Sequence, residues 1–448
     1  MNKGKTIFSQ IMSLIPERDF KACVDRYKGN YRARNFSCKD QFLVMSYAQL
    51  TGRDSLRDIE NCLSALSNKL YHCGISYAVP RNTLAKANEK RDWHIYKDFA
   101  DTLLKKVRPL YAMDNFRLDL DNMVYAFDSS TISLCLKLCP WAKFRTNKGG
   151  IKMHTLVDLR GNLPVSVYLT PASVNDIKAL DNLYIEPGAI YLMDKGYVDF
   201  NRLYKLINKK NAFFVTRAKD NMIFEVMSNA KVDKSTGVIS DENIKLTGQR
   251  TSKWYPEEIR MVTYEDYATN NVYRFLTNNM EYEALTISEL YRERWNVELF
   301  FKWIKQHLHI KSFYGTSENA IYMQIWIAIC TYLLLVYAKM VMHIDQSLHT
   351  ISKNVGLFLT DKPPLNEWQK SIFLIKLIKI RYKQMVLYDS VFLKFALCII
   401  LRIFCRYPTG IIQNSISTSF KNDVYSLCPI LHGHRNVSFC HTLCKIQN

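Results

Sequence analysis

Residues Tyr291 to Ile310, with the sequence YRERWNVELFFKWIKQHLHI, are the stretch on which the interpretation of the whole chain depends. Apolar side chains recur in it at three- and four-residue spacing, which predicts an α-helix. The preceding Thr286-Ile-Ser-Glu289 has the form of a capping box and predicts that the helix starts there. Because apolar residues occupy most of the helix circumference, we expect the helix to be buried.

One polar stripe runs along this predicted helix. At about 100° per residue, five polar side chains fall within a stripe roughly 80° wide. They are Tyr291, Arg294, Glu298, Lys302 and Lys305. A structural ion pair between Arg294 and Glu298, at i,i+4, explains part of the stripe without any function. A carboxylate flanked by cations is also what a site for a metal ion and phosphate groups needs, provided that other carboxylates join it.

Two aspartates each follow a short apolar run that is typical of a β-strand. Asp128 ends the run in YAFDSSTI, and Asp194 ends the run in YLMDKGYVD. An acid at the end of a strand lies at the rim of a sheet, where α/β proteins place their ligand sites. Each aspartate alone has a neutral explanation, since Asp often starts turns. Together with Glu298, they predict a site with three carboxylates.

The order and spacing of these residues resemble those of a known enzyme family. The pattern Tyr-x2-Arg-x3-Glu-x6-Lys, from Tyr291 to Lys305, resembles the Y-R-E-K signature of DDE transposases of the bacterial insertion-sequence-four (IS-four) family. Asp128 and Asp194 resemble its first and second acidic motifs, and the resemblance covers residues 1–345. It implies a DNA transposase that binds terminal inverted repeats and catalyses metal-dependent DNA cleavage and strand transfer.

The resemblance and the sequence texture together predict an α/β protein in three parts. Residues 1–115 read as an all-α N-terminal DNA-binding domain, in which a helix capped by Asn82 faces a DNA groove. Residues 120–345 are expected to form a ribonuclease H-like catalytic core. Within it, residues 219–272 have turn residues and alternating apolar positions, which predict a β-rich insertion. Residues 346–448 are expected to form a helical C-terminal region of atypical composition.

The predicted insertion contains a candidate for DNA recognition. In some family members an aromatic side chain of this region stacks on a base flipped out of the duplex end. By this resemblance Trp254 is the candidate, with Arg250, Lys253 and Arg260 as phosphate contacts. The alternative is that Trp254 anchors the packing of a hairpin.

The three acids also predict the cofactor. Cleavage of a phosphodiester needs an activated oxygen and charge stabilisation on both sides of the phosphorus, which two Mg²⁺ ions about 4 Å apart supply. Mg²⁺ prefers carboxylate oxygens and water as ligands, and Mn²⁺ is an expected substitute. We expect Asp128 to bridge both ions, Asp194 to bind one ion and Glu298 the other.

The cations of the stripe are the expected phosphate ligands. The resemblance implies that Tyr291, Arg294 and Lys305 hold the terminal phosphates, with Arg294 as a bidentate donor and Lys305 as a point charge. Lys302 lies on the same stripe and is a further candidate for DNA binding.

The charge of the chain points to a polyanionic partner. It has 448 residues, a formal net charge of +20 and 12 cysteines without a repeated spacing. Double-stranded DNA, both as terminal repeats and as target, is the expected partner. Synapsis of two element ends implies a homodimer, by resemblance. Reduced cysteines and the lack of a secretory signal favour a cytoplasmic, nucleoid-associated protein in a bacterium.

Three alternatives remain open at this level. The acids do not distinguish a transposase from a nuclease of the same fold that cuts without joining. An inactive DNA-binding remnant would keep the same motifs. The uncharged run of residues 319–338 is long enough to span a bilayer, although its polar residues favour a helix in the core of the protein.

Overall fold

The computed structural model describes residues 5–111, 118, 120–308, 310, 312–362 and 365. The chain divides into two units, one formed by Phe8–Thr360 and the other by Met1–Ile7 together with Asp361–Asn448. The helices and strands below belong to the first unit, except that the first helix begins at Ile7. From residue 366 onward, the predicted C-terminal region lies outside the described residues.

The N-terminal part is all-α, as its apolar periodicity predicts. Its helices are α1 (Ile7–Met12), α2 (Glu17–Arg26), α3 (Cys38–Leu50), α4 (Leu56–Ala65), α5 (Ser67–Leu70), α6 (Arg81–Lys90) and α7 (His94–Val107). The expected cap at Asn82 is wrong, because α6 already begins at Arg81. Pro80 precedes it with φ −62° and ψ 139°, and no side chain caps the helix. Proline fixes this φ and lacks an N–H, so it suits the residue before or at a helix start.

The centre of the protein is a mixed sheet of ten strands within the described residues. The strands are β1 (Val124–Leu134), β2 (Lys143–Arg145), β3 (Lys148–Asp158), β4 (Leu163–Pro171), β5 (Ile190–Met193), β6 (Phe213–Arg217), β7 (Phe224–Asn229), β8 (Val238–Leu246), β9 (Ile259–Asp266) and β10 (Asn271–Thr277). Their order is β2-β3-β1-β5-β6-β10-β9-β8-β7, and β4 also pairs with β3. The β1–β5 and β5–β6 pairs are parallel, and the other pairs are antiparallel.

The parallel strands lie deepest in the sheet. All four residues of β5, Ile190–Met193, are buried, which is typical of a strand covered on both faces. Short helical segments follow it: a 3₁₀ turn (Lys195–Tyr197), α8 (Phe200–Arg202), a π-helical turn (Leu203–Ile207) and a second 3₁₀ turn (Asn208–Lys210). They return the chain to β6, as expected for a right-handed crossover between parallel strands.

The predicted β-rich segment extends the central sheet. β10 pairs with β6, and β9, β8 and β7 follow in turn, so the sheet continues without a break. Arg260 on β9 is buried, and its guanidinium donates to both carboxylate oxygens of Asp241 on β8 at 2.8 Å. The expectation that Arg260 contacts DNA phosphate is therefore wrong, because its charge is already neutralised inside the protein.

The decisive stretch of the sequence is helical but is divided at Arg294. α10 spans Ala284–Glu293 and α11 spans Trp295–His307, with Arg294 itself in the αR region between them. The expected capping box is wrong, since α10 starts before Thr286 and Glu289 and no side chain caps it. The expectation that this helical stretch is buried on all sides is also wrong.

Two exposed apolar side chains show that helix α11 is not buried on all sides. Trp295 and Leu299 are 56% and 46% exposed, so α11 has an open apolar edge beside its polar stripe. The apolar side chains that do lie in the core include Val297, Phe300 and Ile304. Helix α11 therefore packs one face against the core and leaves apolar side chains of another face exposed to solvent.

The apolar run of residues 319–338 forms a core helix. α12 (Glu318–Val341) is long and apolar enough to cross a bilayer, but 94% of its most apolar window is buried inside the protein. It packs against α3, α6 and α7 of the N-terminal part and against α11 and α13 (Leu348–Phe358). The interpretation as a core helix accounts for its hydropathy.

A buried histidine lies on the strand next to β1. His154 on β3 has no exposed side-chain surface, and its Nε2 lies 3.0 Å from Thr170 Oγ1. Burial lowers the pKa of His154 to about 4, because the charged ring is poorly solvated there. The folded protein therefore keeps this ring neutral at pH values where an unfolded chain would protonate it.

We predict that removal of the Arg260 charge destabilises the protein. Arg260→Met leaves Asp241 buried without its partner, and loss of one member of such a pair costs about 3–5 kcal/mol. Arg250→Met, at an exposed position, should change the free energy of unfolding by less than about 0.5 kcal/mol. Thermal melting of both variants measures the difference, and equal melting temperatures would contradict it.

We also predict an acid-labile contribution from His154. Between pH 6.5 and about 4, the unfolded state binds a proton that the folded state does not, so stability falls as the pH falls. The contribution of this group is roughly 1–3 kcal/mol across that window. His154→Phe should lose less stability than the wild-type protein between pH 7 and pH 4.5, as measured by melting temperature. Parallel curves for the two proteins would refute this.

Candidate active site

Two of the predicted acids lie side by side at one rim of the central sheet. β1 and β5 are parallel neighbours, and their register pairs Phe127 with Met193. Asp128 and Asp194 are the next residues on the two strands, at the point where the parallel pairing ends. The carboxyl ends of parallel strands form the rim at which α/β proteins bind ligands. The structure thus brings these two acids together where the sequence predicts a ligand site.

The third predicted acid reaches the same rim through a guanidinium. α11 packs against β1, and Glu298 lies one helical turn after Arg294. Arg294 Nη2 donates to Glu298 Oε1 at 2.8 Å, and Arg294 Nη1 donates to Asp128 Oδ2 at 3.4 Å. The predicted i,i+4 ion pair is therefore present and extends to the first acid. One guanidinium joins Asp128 and Glu298.

Tyrosine hydroxyls complete the connections among the acids. Tyr291 on α10 donates its hydroxyl to Asp194 Oδ1 at 3.1 Å. Burial raises the pKa of Tyr291 to about 12, so its phenol is a neutral donor at physiological pH. Tyr197, on the turn after β5, donates to Asp128 Oδ1 at 3.4 Å. Each of the three acids therefore receives a hydrogen bond from a side chain of this cluster.

The charges at this rim affect one another. Burial raises the pKa of Asp128, and the nearby carboxylates of Glu298 and Asp194 raise it further. The Ser129 N–H, which donates to Asp128 Oδ1 at 2.7 Å, and the Arg294 guanidinium act in the opposite direction. The net pKa of Asp128 is above its usual value. A cation bound at Asp128 would favour its ionised form for the same electrostatic reason as Arg294 does.

The three carboxylates suit a hard divalent cation in their chemistry. Mg²⁺ takes oxygen ligands, and carboxylates are its usual protein ligands. Within the residues that the structure describes, however, no group of three or more His, Cys, Asp or Glu side chains is placed so that it could hold a metal ion. Arg294 instead supplies the positive charge to Asp128 and Glu298. The three acids suit such a cation in their chemistry, but in the described part of the chain they are not arranged to hold one.

The lysines of the predicted stripe have different surroundings. Lys305 Nζ donates to Ser130 Oγ at 2.6 Å and to the carbonyl oxygen of Thr131 at 3.0 Å. Both acceptors lie on β1 just beyond Asp128, so Lys305 ties α11 to the strand that carries the first acid. Lys302 is exposed to solvent.

The predicted base-stacking residue lies in a short helix. Trp254 ends α9 (Thr251–Trp254), between β8 and β9, whereas the sequence predicted a hairpin position. Its side chain is 43% exposed, and Arg250 and Lys253 beside it are exposed as well. Because they are exposed, the side chains of Trp254, Arg250 and Lys253 are accessible to DNA. The side chain of Arg260, in contrast, is buried.

Sequence reasoning did not predict Asp176, which forms a second polar cluster next to Asp128. Asp176 Oδ1 accepts from Ser129 Oγ at 2.7 Å, and Asp176 Oδ2 accepts from Lys152 Nζ at 3.2 Å. His154 Nδ1 lies 3.8 Å from Asp176 Oδ1. The signal available in the sequence was Lys152-Met-His154, whose polar residues alternate on one face of a strand. Asp176 follows β4 in a turn and carries no periodic signal.

Two parts of the chain match models of known protein families. Residues 120–334 match the family model described as a transposase DDE domain. Residues 3–76 match a second model, described as a domain of unknown function (DUF4372). The three acids of the site and the helices α10 and α11 all lie inside the first match.

Relatives of this chain carry names from insertion sequences. The protein y4zB of Sinorhizobium fredii, named as a transposase, is 38% identical over 217 residues, which are 48% of this chain and 60% of that protein. A protein of Geobacillus stearothermophilus, named as the transposase of insertion sequence element IS5377, is 24% identical over 83% of this chain and 95% of its own length. A Synechocystis protein, named for IS4SA, is 24% identical over 63% and 75% of the two chains.

One solved structure has a similar course of the chain over part of its length. It is a cryo-EM structure of a piggyBac transposase synaptic complex with hairpin DNA, with a TM-score of 0.41, 12% sequence identity and 79% coverage of both chains. A likeness this loose carries no argument about the fold. The family model and the insertion-sequence relatives carry the assignment, and they confirm the resemblance found in the sequence. Residues 120–334 thus match a transposase DDE domain, and the chain is similar to proteins named as transposases of insertion sequences.

Proposed function

We propose that this protein is the transposase of an insertion sequence, which binds the terminal inverted repeats of its element, cleaves DNA there and joins the ends to target DNA. The single observation that carries the proposal is the convergence of the three acids. Asp128 and Asp194 lie on adjacent strand ends, and Arg294 links Glu298 to Asp128. Three carboxylates beside a row of cations suit metal-assisted cleavage of a phosphodiester.

We take the catalytic core to be ribonuclease H-like and to span residues 120–345. The sheet order supports this assignment, because β4 pairs with β3 and β3 with β1, both antiparallel, and β1, β5 and β6 then run parallel. β7 to β10 would be the family's β-rich insertion, which here lengthens the same sheet.

In this proposal the acids hold divalent cations, with Mg²⁺ in the cell and Mn²⁺ as a substitute. Asp128, Asp194 and Glu298 are the ligands, for two ions. When bound, the ions activate an attacking oxygen and stabilise the leaving oxygen of the phosphodiester. The protein's own contribution is to hold the three carboxylates near one another, with Asp194 oriented by Tyr291 and Asp128 by Tyr197.

Arg294 would change partners during the reaction. Here its single positive charge is shared between Asp128 and Glu298. Once the carboxylates bind cations, the guanidinium is free to turn its donors towards a terminal phosphate, the role that the family resemblance assigns to it. Tyr291 and Lys305 would contact phosphate from the same side. Lys302 is exposed and so open to DNA as well.

A basic groove in the N-terminal part supports duplex DNA as the partner. This N-terminal groove has a volume of about 900 Å³ and lies between residues 27–36 and helix α6. Five exposed cations line it, none of them in an ion pair with a described residue: Lys28, Arg32, Arg34, Lys86 and Lys90. Unneutralised cations along a groove favour a phosphate backbone. A homodimer on DNA would bring two element ends together.

We predict that Glu298→Gln abolishes end cleavage in Mg²⁺ but leaves binding to the terminal repeats largely intact. A metal site contributes several kcal/mol of transition-state stabilisation, so the cleavage rate should fall by about 10²–10³-fold or more. Glu289→Gln, the same change on α10 away from the acids, is the matched control and should cleave normally. Cleavage of a labelled duplex and a gel-shift assay measure the two properties.

The same assay separates the alternatives. Strand-transfer products in Mg²⁺ support a transposase, whereas cleavage without joining supports a nuclease. Binding without metal-dependent nicking by the wild-type protein would indicate an inactive remnant. Normal cleavage per bound complex by Glu298→Gln would exclude its role as a metal ligand.

We predict that the double substitution Lys86→Ala/Lys90→Ala weakens binding to duplex DNA. These side chains lie one helical turn apart on α6 and face the N-terminal groove. If each contacts a phosphate, the slope of log K against log salt concentration should decrease by about 2. Lys21→Ala/Lys105→Ala removes two exposed lysines of the same part outside the groove lining and is the control. Equal slopes for the two double variants would remove the groove from the proposal.

A further inference from the structure

A polar cluster on the opposite face of the sheet adjoins the first acid of the site. Side chains alternate along a strand, so Asp128 and Ser129 on β1 point to opposite faces. α11 covers the face of Asp128, since Lys305 bonds to Ser130 on that face. Ser129 points the other way, and its hydroxyl donates to Asp176 Oδ1 at 2.7 Å.

Asp176 is held in place by Ser129 of β1 and Lys152 of β3. Ser129 pairs with His154 in the β1–β3 register, so the two side chains share a face. Lys152 Nζ donates to Asp176 Oδ2 at 3.2 Å and to the carbonyl oxygen of Val174 at 2.9 Å. The Lys152 side chain is only 16% exposed. This second bond fixes the turn on which Asp176 lies.

The histidine and the lysine of this cluster are largely buried, whereas the Asp176 side chain is 38% exposed. His154 is fully buried, and its Nδ1 has no hydrogen-bond partner although it lies 3.8 Å from the carboxylate. A lysine, a serine hydroxyl and a histidine ring thus converge on one aspartate. An ion pair of Asp176 with Lys152 alone would stabilise the turn, but it would not require the bond to Ser129.

Ser129 connects the cluster to the acid site. Its N–H donates to Asp128 Oδ1 at 2.7 Å while its side chain is bound by Asp176. The backbone N–H of Ser129 therefore binds the carboxylate of Asp128. The hydroxyl of Ser129 is bound by Asp176 on the opposite face of the sheet. Tyr197 is a further contact between the two groups. Its hydroxyl donates to Asp128 Oδ1, and burial together with the negative charges of Asp128 and Asp176 raises the pKa of that hydroxyl.

We propose that Asp176 is a positioning residue for Asp128: by binding the Ser129 hydroxyl it fixes the strand at the first acid and so sets the orientation of that carboxylate towards a divalent cation. This inference rests on the proposed function, since it needs Asp128 to bind the cation. Lys152 in turn holds Asp176. Partners that orient a metal ligand typically contribute 10–100-fold in metal affinity or activity, about the scale expected for Asp176.

The test measures Mn²⁺ binding to the DNA-free, full-length protein by calorimetry or by the electron paramagnetic resonance of free Mn²⁺. Asp176→Asn and Ser129→Ala should each weaken Mn²⁺ binding by about 10–100-fold. The double variant should be hardly worse than either single variant, because both changes break one chain of contacts. Ser129→Thr keeps the hydroxyl and should restore binding.

The matched control is Asp181→Asn, which removes a charge from the same turn. Asp181 bonds to the Arg202 guanidinium at 2.9 Å and lies outside the cluster, so its Mn²⁺ affinity should equal that of the wild-type protein. In cleavage assays, Asp176→Asn should raise the Mn²⁺ concentration for half-maximal rate while the rate at saturating Mn²⁺ stays close to that of the control. Loss of stability alone would lower the rate at every Mn²⁺ concentration.

Two outcomes overturn the inference, and they differ in meaning. Asp128→Asn is the reference that reports on the proposed metal site itself. If Asp128→Asn weakens Mn²⁺ binding but Asp176→Asn and Ser129→Ala match Asp181→Asn, only the positioning role fails. If Asp128→Asn leaves Mn²⁺ binding unchanged, the proposed metal site fails, and the role of Asp176 fails with it. Should Asp176→Asn not fold, Ser129→Ala and Ser129→Thr decide the question.

Discussion

Three carboxylates at one half-buried rim repel one another, and the guanidinium of Arg294 offsets that repulsion. Burial alone would disfavour a negative charge on Asp128, and its two acidic neighbours add to the cost. Arg294 donates to Asp128 and Glu298 together, while Tyr291 donates to Asp194. These donors keep the acids together without any bound cation. The same arrangement means that a cation entering the site competes with a residue of the protein.

The rest of the fold serves to hold these groups in register. Pairing between β1 and β5 sets the first two acids side by side, and α11 brings the third against β1 through the bonds of Lys305. The other face of β1 is held by Asp176 through Ser129. A strand fixed from both faces has little freedom to shift its register. Rigid elements of this kind position catalytic groups better than loops do.

Local signals in the sequence predicted the helices and the strands next to the acids, whereas features that depend on distant partners were missed. The uncharged apolar run of residues 319–338 indicated α12, and the family pattern pointed to Glu298 as a candidate. The burial of Arg260 depends on Asp241 on a neighbouring strand, which periodicity cannot pair with it. The expected caps at Asn82 and Thr286 were wrong because helices α6 and α10 start earlier than their cap-like residues. Asp176 gave no signal, since a turn aspartate is common.

Helix α12 packs between the N-terminal helices and α11, so these parts of the unit Phe8–Thr360 share one core. This helix is surrounded by side chains from α3, α6 and α7 and from α11. A catalytic fragment produced without the N-terminal helices would leave much of a 24-residue apolar helix open to water. Such a fragment would aggregate or adsorb to detergent and lipid. Dissecting this protein at the boundary near residue 115 would therefore yield insoluble pieces, and internal deletions confined to exposed loops are the sounder route to smaller active forms.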